Sequence, residues 1–225
     1  MIRVQYQKLG DISYISHLDI VKLMERISRR AGIKLSYSQG FSPHPKTSFS
    51  PALSVGMQSY CEYIDLELED ESISLDELIE RYNTASVEGI IFTKAKKFED
   101  KTEALMSFIT HSKFEFEIDD EINFDSIINA IDTINSSKTI MFSRISKSGN
   151  EIPYDMKEYI EELSYDKKKN IIKSTICTSS AKTLNPRALL SYILTQSGLE
   201  QDTFTIITKT DTYNMNENGE ITRAL

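Results

Sequence analysis

The sequence predicts an α+β protein made of two tandem ferredoxin-like halves, each a split βαβ unit with an antiparallel sheet. Segments with the two-residue alternation of a strand and segments with the apolar period of a helix follow in the order strand, helix, strand, strand, helix, strand. The same order recurs further along the chain, which places the halves at residues 1–105 and 106–225. A single larger α+β domain is the alternative that this order leaves open.

In the first half, the helix predicted over residues 16–31 is the best-defined element. Ser16 suits an N-cap, and Asp19 stands three residues later, as in a capping box with Asp in place of Glu. Apolar residues at spacings of four, three and four place one apolar face on this helix, namely Ile20, Met24, Ile27 and Ala31. Gly32 is a natural C-terminal stop. The remaining first-half predictions are strands over 2–8, 33–37, 60–68 and 90–98, an extended segment over 47–55 that is broken by Pro51, and a helix over 74–85. Alternation in 60–68 predicts one face with Cys61 and Asp65 and another with Glu62 and Ile64.

In the second half, a helix over residues 186–196 is predicted, with Asn185 as N-cap and Pro186 at the first helical position. The other predicted elements are strands over 112–119, 138–146, 169–178 and 203–210 and a helix over 124–134. The charged residues 99–107 are expected to bridge the halves. The charged region 147–169 is left without an assigned element.

Composition excludes several classes of protein. The two cysteines, Cys61 and Cys177, are too few for a disulfide framework, a four-cysteine zinc site or a self-contained iron–sulfur cluster. No apolar run reaches the roughly 18 residues of a membrane span, and the start of the chain shows no secretory signal. We therefore expect a cytoplasmic protein without a membrane partner, with reduced thiols. No P-loop, dinucleotide-binding, zinc-protease or nucleophile-elbow motif is present, so no catalytic signature is recognised.

The charge is polarised along the chain. The net charge is −8, yet residues 1–60 carry eight Lys/Arg and three Asp/Glu, while the remainder is strongly acidic. Four cations, Lys22, Arg26, Arg29 and Arg30, fall on the predicted helix 16–31. A solvated face is one interpretation of such a run. A phosphate-binding face, with salt-sensitive affinity, is the other.

The segment "YSQGFSPHPKTSF", residues 37–49, has the composition of a binding loop. Pro43 and Pro45 fix φ on both sides of His44, which lowers the cost of ordering the loop on binding. Gly40 permits a positive φ or close approach of a ligand. Phe41 and Phe49 are candidates either for stacking on bases or for the core.

The predicted binding site combines the helix and the loop. Its candidate residues are His17, Asp19, Lys22, Arg26, Arg29, Arg30, Gln39, Gly40, Phe41, Pro43, His44, Pro45, Lys46 and Glu62. A metal site of His17, Asp19 and His44 matches no known spacing, so no metal and no cofactor are predicted. Acid–base chemistry by Tyr14, His17 and His44 on RNA remains an alternative.

Residues 14–68 resemble the opening block of the radical SAM-linked family of unknown function. The elements "SHLD", "RRAG", "GFSPHP" and "EY" stand in the family's order. Ser42 departs from the pattern, because the family usually has asparagine there. "NPRALLSYIL" and "TKTDTYN" are similar to the family's closing motifs. The family's domain occurs alone or fused behind a radical SAM domain with a B12-binding region.

The resemblance implies an accessory role beside a radical SAM enzyme. A radical SAM cluster needs three cysteine ligands, so it would have to sit on the partner. We expect a non-catalytic module that presents RNA, or another anionic substrate, to that partner. One alternative is an RNA-processing enzyme similar to the tandem ferredoxin-like CRISPR endoribonucleases, an analogy at fold level. Another is a purely protein-binding scaffold.

Overall fold

A computed structural model describes residues 1–100, 102–118, 124–145, 149–199 and 205–225. Its helices are α1 (His17–Arg30), α2 (Leu75–Ala85), α3 (Leu105–Phe108), α4 (Phe124–Ser136) and α5 (Pro186–Gln196). Its strands are β1 (Ile2–Lys8), β2 (Thr47–Phe49), β3 (Met57–Leu66), β4 (Ile90–Lys97), β5 (His111–Glu117), β6 (Met141–Ile145), β7 (Glu151–Asp155), β8 (Ile160–Asp166), β9 (Ile171–Cys177), β10 (Ile206–Met215) and β11 (Ile221–Thr222). The protein is therefore a mixed α+β protein, and the strand pairs with a defined register are antiparallel.

The chain divides into two compact units. Unit 1 comprises Met1–Ile109 and Thr208–Leu225, and unit 2 comprises Thr110–Ile207. The last 18 residues, which the sequence analysis assigned to the second half, thus group with the first, because most of β10 lies beside β3. Pairing between strands so distant in sequence cannot be predicted from the local sequence pattern of either strand.

In unit 1 the sheet runs in the order β4–β1–β3–β10, with β2 beside β3 and β11 beside β10. Helices α1 and α2 bury their apolar sides in one core cluster with β1, β3 and β4. Ile20, Met24 and Ile27 are the buried side of α1, as their spacing predicted. Between the helices, the hydroxyls of Ser28 and Tyr82 lie 3.0 Å apart and satisfy each other within this core.

One first-half prediction needs correction. Residues 33–37 do not form a strand, since this segment makes only the single bridges Leu35–Leu68 and Tyr37–Pro45. In the extended segment 47–55, the strand is limited to β2, which ends two residues before the predicted break at Pro51, a residue that cannot donate to a ladder. In β3, every residue from Cys61 to Leu66 is buried, so its alternation does not mark a solvent face.

In unit 2 the sheet runs in the order β5–β9–β8, and β6 and β7 form a separate hairpin. Helix α5 spans the predicted residues 186–196, with the Asn185 side chain accepting from the Arg187 amide at 2.9 Å. The region 147–169 holds β7 and β8, although no element was assigned there. Exposed charges such as Glu161 and Glu162, together with Pro153 in the hairpin, mask the apolar alternation that identifies a strand.

The described ranges contain no helix that combines the length and the apolar character required to cross a membrane.

Candidate ligand-binding site

A cavity of about 630 Å³ lies between α1, the loop that follows it, and strands β2 and β3. We call it the α1 cavity. Its polar lining consists of His17, Lys22, Glu25, Ser28, His44, Thr47, Ser48 and Ser50. Its apolar lining consists of Val21, Met24, Leu35, Pro45, Phe49, Ile64 and Met106. An apolar pocket with a few convergent polar groups is the usual form of a ligand site.

The start of α1 is fixed by two local interactions. The Ser16 hydroxyl accepts from the Asp19 amide at 3.2 Å, which is the predicted N-cap bond. The Asp19 carboxylate accepts from the Ser16 hydroxyl at 2.6 Å, whereas in a capping box it would accept from the Ser16 amide. The buried Lys8 ammonium donates to the carbonyls of Ser13 and Ile15, both at 3.1 Å. Burial lowers the pKa of Lys8, more than the nearby Glu62 carboxylate raises it. Lys8 thereby ties the end of β1 to the turn that leads into the helix.

The loop over residues 38–46 is closed at its base. The Ser38 amide donates to the His44 carbonyl at 2.9 Å, and the His44 amide donates to the Ser38 hydroxyl at 3.0 Å. Gly40, at φ +132°, takes a backbone conformation that a side chain would disfavour. Phe41 follows it and is fully exposed, at 112% of its reference area. The loop thus presents an aromatic ring to solvent from a fixed base.

The two histidines of the predicted site both line the α1 cavity. His17 comes from the first residue of α1, and its ring meets Phe49 edge-on, with the centroids 5.5 Å apart. His44 comes from the loop, and its Nε2 lies 3.5 Å from the Ser42 hydroxyl. Phe49 is half-buried and packs against the core, whereas Phe41 is not part of the core. The two phenylalanines considered for the same roles therefore lie in different environments.

Two buried ion pairs underlie the polar floor of the cavity. The Ser48 hydroxyl reaches the Asp65 carboxylate at 3.5 Å, and the Arg3 guanidinium donates to both oxygens of Asp65, at 2.7 and 3.0 Å. The Ser50 hydroxyl donates to Glu62 at 3.1 Å. Glu62 in turn lies 2.5 Å from the ammonium of Lys209, which is also buried. Glu62, a predicted site residue, therefore supports the floor and does not line the cavity.

The cations of the predicted binding site differ in the protein groups that they already contact. Arg30 donates twice to the Ala85 carbonyl, at 2.7 and 3.0 Å, and so faces the C-terminus of α2. Arg29 pairs with Glu25 at 2.9 Å, and Lys46 pairs with Glu67 at 2.8 Å, both on the surface. Such exposed pairs contribute little, about 0–1 kcal/mol, and exchange readily for a ligand.

Lys22 and Arg26 form no ion pair within the described part of the chain. Lys22 lines the α1 cavity, and both residues line a neighbouring groove on the same helix. Three acidic residues line that groove with them, namely Asp11, Asp19 and Glu88. The cations of α1 therefore do not form one uninterrupted basic face.

Glu25 connects the helix to the loop region. Its carboxylate accepts from Arg29 and lies 3.5 Å from the Tyr37 hydroxyl, so the base of the loop and the end of α1 face the same side. The structure brings together His17, Lys22, His44 and Pro45 around the cavity. Gln39, Gly40, Phe41 and Pro43 are exposed on the loop beyond it. Asp19 caps α1 and does not line the cavity with the histidines, so the metal set considered from the sequence is not assembled.

Sequence reasoning missed the floor of the cavity. Ser48 and Ser50 flank Phe49 on and after β2, and Met106 comes from α3, a helix that the charged segment 99–107 did not reveal. Alternation along residues 47–50 is the one signal that could have grouped the two serines on a single face.

A family model described as "Uncharacterized protein conserved in bacteria (DUF2344)" matches residues 1–186. Among curated proteins, none matches the sequence significantly. A solved structure titled "Crystal Structure of a Cbf5-Nop10-Gar1 Complex" is similar over 96% of this chain and 50% of that chain, at 10% identity and a TM-score of 0.48. The chain thus spans about half the length of that neighbour.

Proposed function

The chain belongs to the DUF2344 family of uncharacterized bacterial proteins, and from the geometry of its site we propose that unit 1 is an RNA-binding module. It holds a base of single-stranded RNA in the α1 cavity and presents it to a separate enzyme. The single observation that carries the proposal is the pairing of this cavity with the exposed Phe41 on a loop closed at its base.

The cavity is large enough for a nucleobase, and its lining suits one. Its volume of about 630 Å³ lies within the range of about 300–1,000 Å³ that ligand sites occupy. Met24, Leu35 and Phe49 offer apolar contact to a flat ring. Glu25 offers an acceptor and the Thr47 hydroxyl offers a donor to its polar edge, as single-stranded RNA recognition requires.

Exposed aromatic side chains near the loop favour a single strand over a duplex. Phe41 is fully exposed, and Tyr37, which directly precedes the loop, is also exposed to solvent. An unstacked base gains about 1–3 kcal/mol on an aromatic platform. Such stacking tolerates any base, so the surface would select for strandedness before sequence.

The phosphates of the strand would contact the cations that the fold leaves available. Lys22 lies at the cavity and Arg26 one turn further along α1. Arg29 and Lys46 can join them by exchanging their exposed partners, Glu25 and Glu67. Arg30 is excluded from this set, because its guanidinium is committed to the Ala85 carbonyl.

We further propose that the recipient of the RNA is a radical SAM enzyme, with or without a B12-binding region. The support is the motif block of residues 14–68 and the resemblance it carries. Co-purification from the native cell tests this: the account expects both RNA and a radical SAM protein with the chain. Recovery of a protein partner without RNA would contradict the proposal and favour a protein-binding scaffold.

The ferredoxin-like architecture of the halves also stands as a proposal. In unit 1 the elements follow the order β1, α1, β2, β3, α2, β4, and the sheet order β4–β1–β3 with β2 beside β3 supports a split βαβ unit. In unit 2 the order β5–β9–β8 gives partial support.

Direct binding to a fluorescently labelled single-stranded RNA tests the RNA-binding proposal. Phe41→Ala should weaken binding by about 1–3 kcal/mol, the worth of one stacked base. Tyr60→Ala, which removes another exposed aromatic of unit 1 that does not line the cavity, is the matched control and should leave affinity unchanged. Equal effects of the two changes, or no binding by the native chain, would contradict the proposal.

A second candidate function is favoured by one observation, the presence of His17 and His44 in the same cavity. Two imidazoles around a bound nucleotide could act as general acid and base in RNA cleavage. Incubation of RNA with the native protein and with His44→Ala separates the two functions. Cleavage that His44→Ala abolishes would establish the enzyme and displace the non-catalytic module.

A further inference from the structure

Three chemically distinct metal-binding side chains meet in unit 2, away from any motif that the sequence analysis selected. The sulfur of Cys177 lies 3.4 Å from Nε2 of His111, and Oε1 of Glu161 lies 3.6 Å from the same nitrogen. The three ligand atoms all fall within 4.8 Å of one another. His111 and Cys177 are buried, while the side chain of Glu161 is 44% exposed, so the cluster opens to solvent on one side.

Strand register creates this cluster. His111 at the start of β5 stands directly opposite Cys177 at the end of β9, so their side chains share a face of the sheet. The pairing of β8 with β9 shifts register between Ile160 and Glu162, which places Glu161 at the irregularity. Bulges of this kind re-aim a side chain and are frequent next to functional sites.

We propose that His111, Glu161 and Cys177 bind one Zn²⁺ ion, with the fourth position open to water or a substrate. At ordinary zinc bond lengths, two tetrahedral ligand atoms lie about 3.3–3.6 Å apart. The observed separations of 3.4 and 3.6 Å match two edges of such a tetrahedron, and the third edge, between Cys177 and Glu161, lies within 4.8 Å. Thiolate, imidazole and carboxylate are the three protein ligands that zinc prefers.

The hydrogen-bond partner of Nδ1 of His111 favours a metal site over a catalytic relay in which an acid orients the histidine and the histidine activates the cysteine. In a cysteine–histidine–acid relay, the acid holds one imidazole nitrogen and the nucleophile faces the other. Here the thiol and the carboxylate both face Nε2, and Nδ1 lies 2.8 Å from the Thr110 hydroxyl. An outer hydrogen bond on Nδ1 orients a metal-bound histidine in this way. The three ligand atoms thus lie on the same side of the ring and within 4.8 Å of one another, which is close enough for them to share an ion.

One charge acts against the ion. Lys182 lies close enough to influence both His111 and Cys177 electrostatically, and its ammonium lies 5.0 Å from the centre of the Tyr159 ring. A nearby cation weakens the binding of Zn²⁺ by direct repulsion. Removing this charge should therefore tighten metal binding, which gives a variant with an effect opposite to the loss of a ligand.

The proposal is independent of the α1 cavity, and Zn²⁺ itself is the probe. The full chain, reduced and stripped by a chelator, is titrated with Zn²⁺ against a chromophoric competitor. We expect one ion per chain. Glu161→Gln should weaken binding by at least the ~10–100-fold that loss of an outer partner costs. Glu162→Gln, the adjacent carboxylate, should leave affinity unchanged, and Lys182→Gln should raise it.

Substitution with Co²⁺ identifies the sulfur ligand. A thiolate-to-cobalt charge-transfer band should appear in the near ultraviolet, persist in Cys61→Ala and vanish in Cys177→Ala. Glu161 is exposed, so Glu161→Gln keeps the test valid even where Cys177→Ala fails to fold. Absence of stoichiometric Zn²⁺ binding, equal affinities of Glu161→Gln and Glu162→Gln, or a spectrum without the thiolate band would overturn the zinc site.

Discussion

Buried polar side chains have different kinds of partner in unit 1 and in unit 2. Beneath the α1 cavity, each buried carboxylate faces a cation, Asp65 with Arg3 and Glu62 with Lys209. In unit 2, a thiol, an imidazole and a carboxylate converge instead, and all three can offer lone pairs to a metal. In unit 1 the chain itself supplies a cation for each of these carboxylates. In unit 2 the proposed zinc ion would supply the positive charge that the three side chains bind.

This comparison distinguishes charged side chains that stabilise the fold from side chains that are available to bind a ligand. A buried pair that is well hydrogen-bonded is costly to break but needs no ligand. A convergent set of donors resembles a site prepared for a cation. In unit 1 we therefore expect ligand binding in the α1 cavity and its loop. The two buried ion pairs stabilise the floor of that cavity. In unit 2 ligand binding is expected within the cluster itself.

Breaking one buried pair is the largest expected effect and tests whether the floor of unit 1 is structural. Asp65→Asn leaves Arg3 buried without its carboxylate and should lower the free energy of unfolding by about 3–5 kcal/mol. Glu67→Gln removes an exposed partner of Lys46 two residues away and should cost less than about 1 kcal/mol. Urea unfolding of the two variants measures both values. Similar losses would remove the distinction between buried and exposed pairs.

The pH dependence of stability provides a test with a smaller effect, because it reports the burial of Cys61. Cys61 is sealed in unit 1 beside Tyr63, Leu105 and Ile109, and burial raises its pKa from the ordinary 9.0 to about 12. Its folded pKa exceeds its unfolded pKa, so its contribution to stability is fully present below about pH 9 and is lost as pH rises towards 12. Stability should fall across this window, and Tyr82, whose pKa burial raises to about 12, should add to the fall.

Urea midpoints measured through the alkaline range, from about pH 8 to about pH 11, check this expectation. Cys61→Ala should reduce the dependence of stability on pH, whatever its effect on stability at neutral pH. An unchanged pH dependence in Cys61→Ala would show that Cys61 is not the sealed thiol described here.

Local signals were sufficient for α1, which carries part of the site, and for α5 in unit 2. Ser16, Asp19 and the apolar period defined α1, and Asn185 with Pro186 defined α5. The unusual loop was also evident, because prolines, glycine and an aromatic residue are clustered there. What the sequence could not give is the closure of the loop by Ser38 and His44.

Long-range pairing set the limit of prediction. The assignment of residues 208–225 to unit 1 depends on β10 lying beside β3, and no local pattern encodes that choice. The cluster in unit 2 depends on the register that places His111 opposite Cys177, 66 residues apart in sequence. Arg30 was grouped with the phosphate-binding cations because helix spacing does not show that α2 ends beside it.

The central claim, that unit 1 binds RNA through the cations that the fold leaves available, is tested most directly by the salt dependence of affinity. Labelled single-stranded RNA is titrated at several salt concentrations. Engagement of three or four phosphates by Lys22, Arg26, Arg29 and Lys46 gives a slope of log affinity against log salt of roughly −2 to −3, at about 0.7 per contact.

Lys22→Gln combined with Arg26→Gln should flatten the slope by about 1.4, whereas Arg30→Gln, whose side chain is held by the Ala85 carbonyl, should leave it unchanged. The net charge of −8 opposes this binding at long range, so the result is not assured by charge alone. No binding at low salt, or a slope indifferent to the loss of Lys22 and Arg26, would contradict the account.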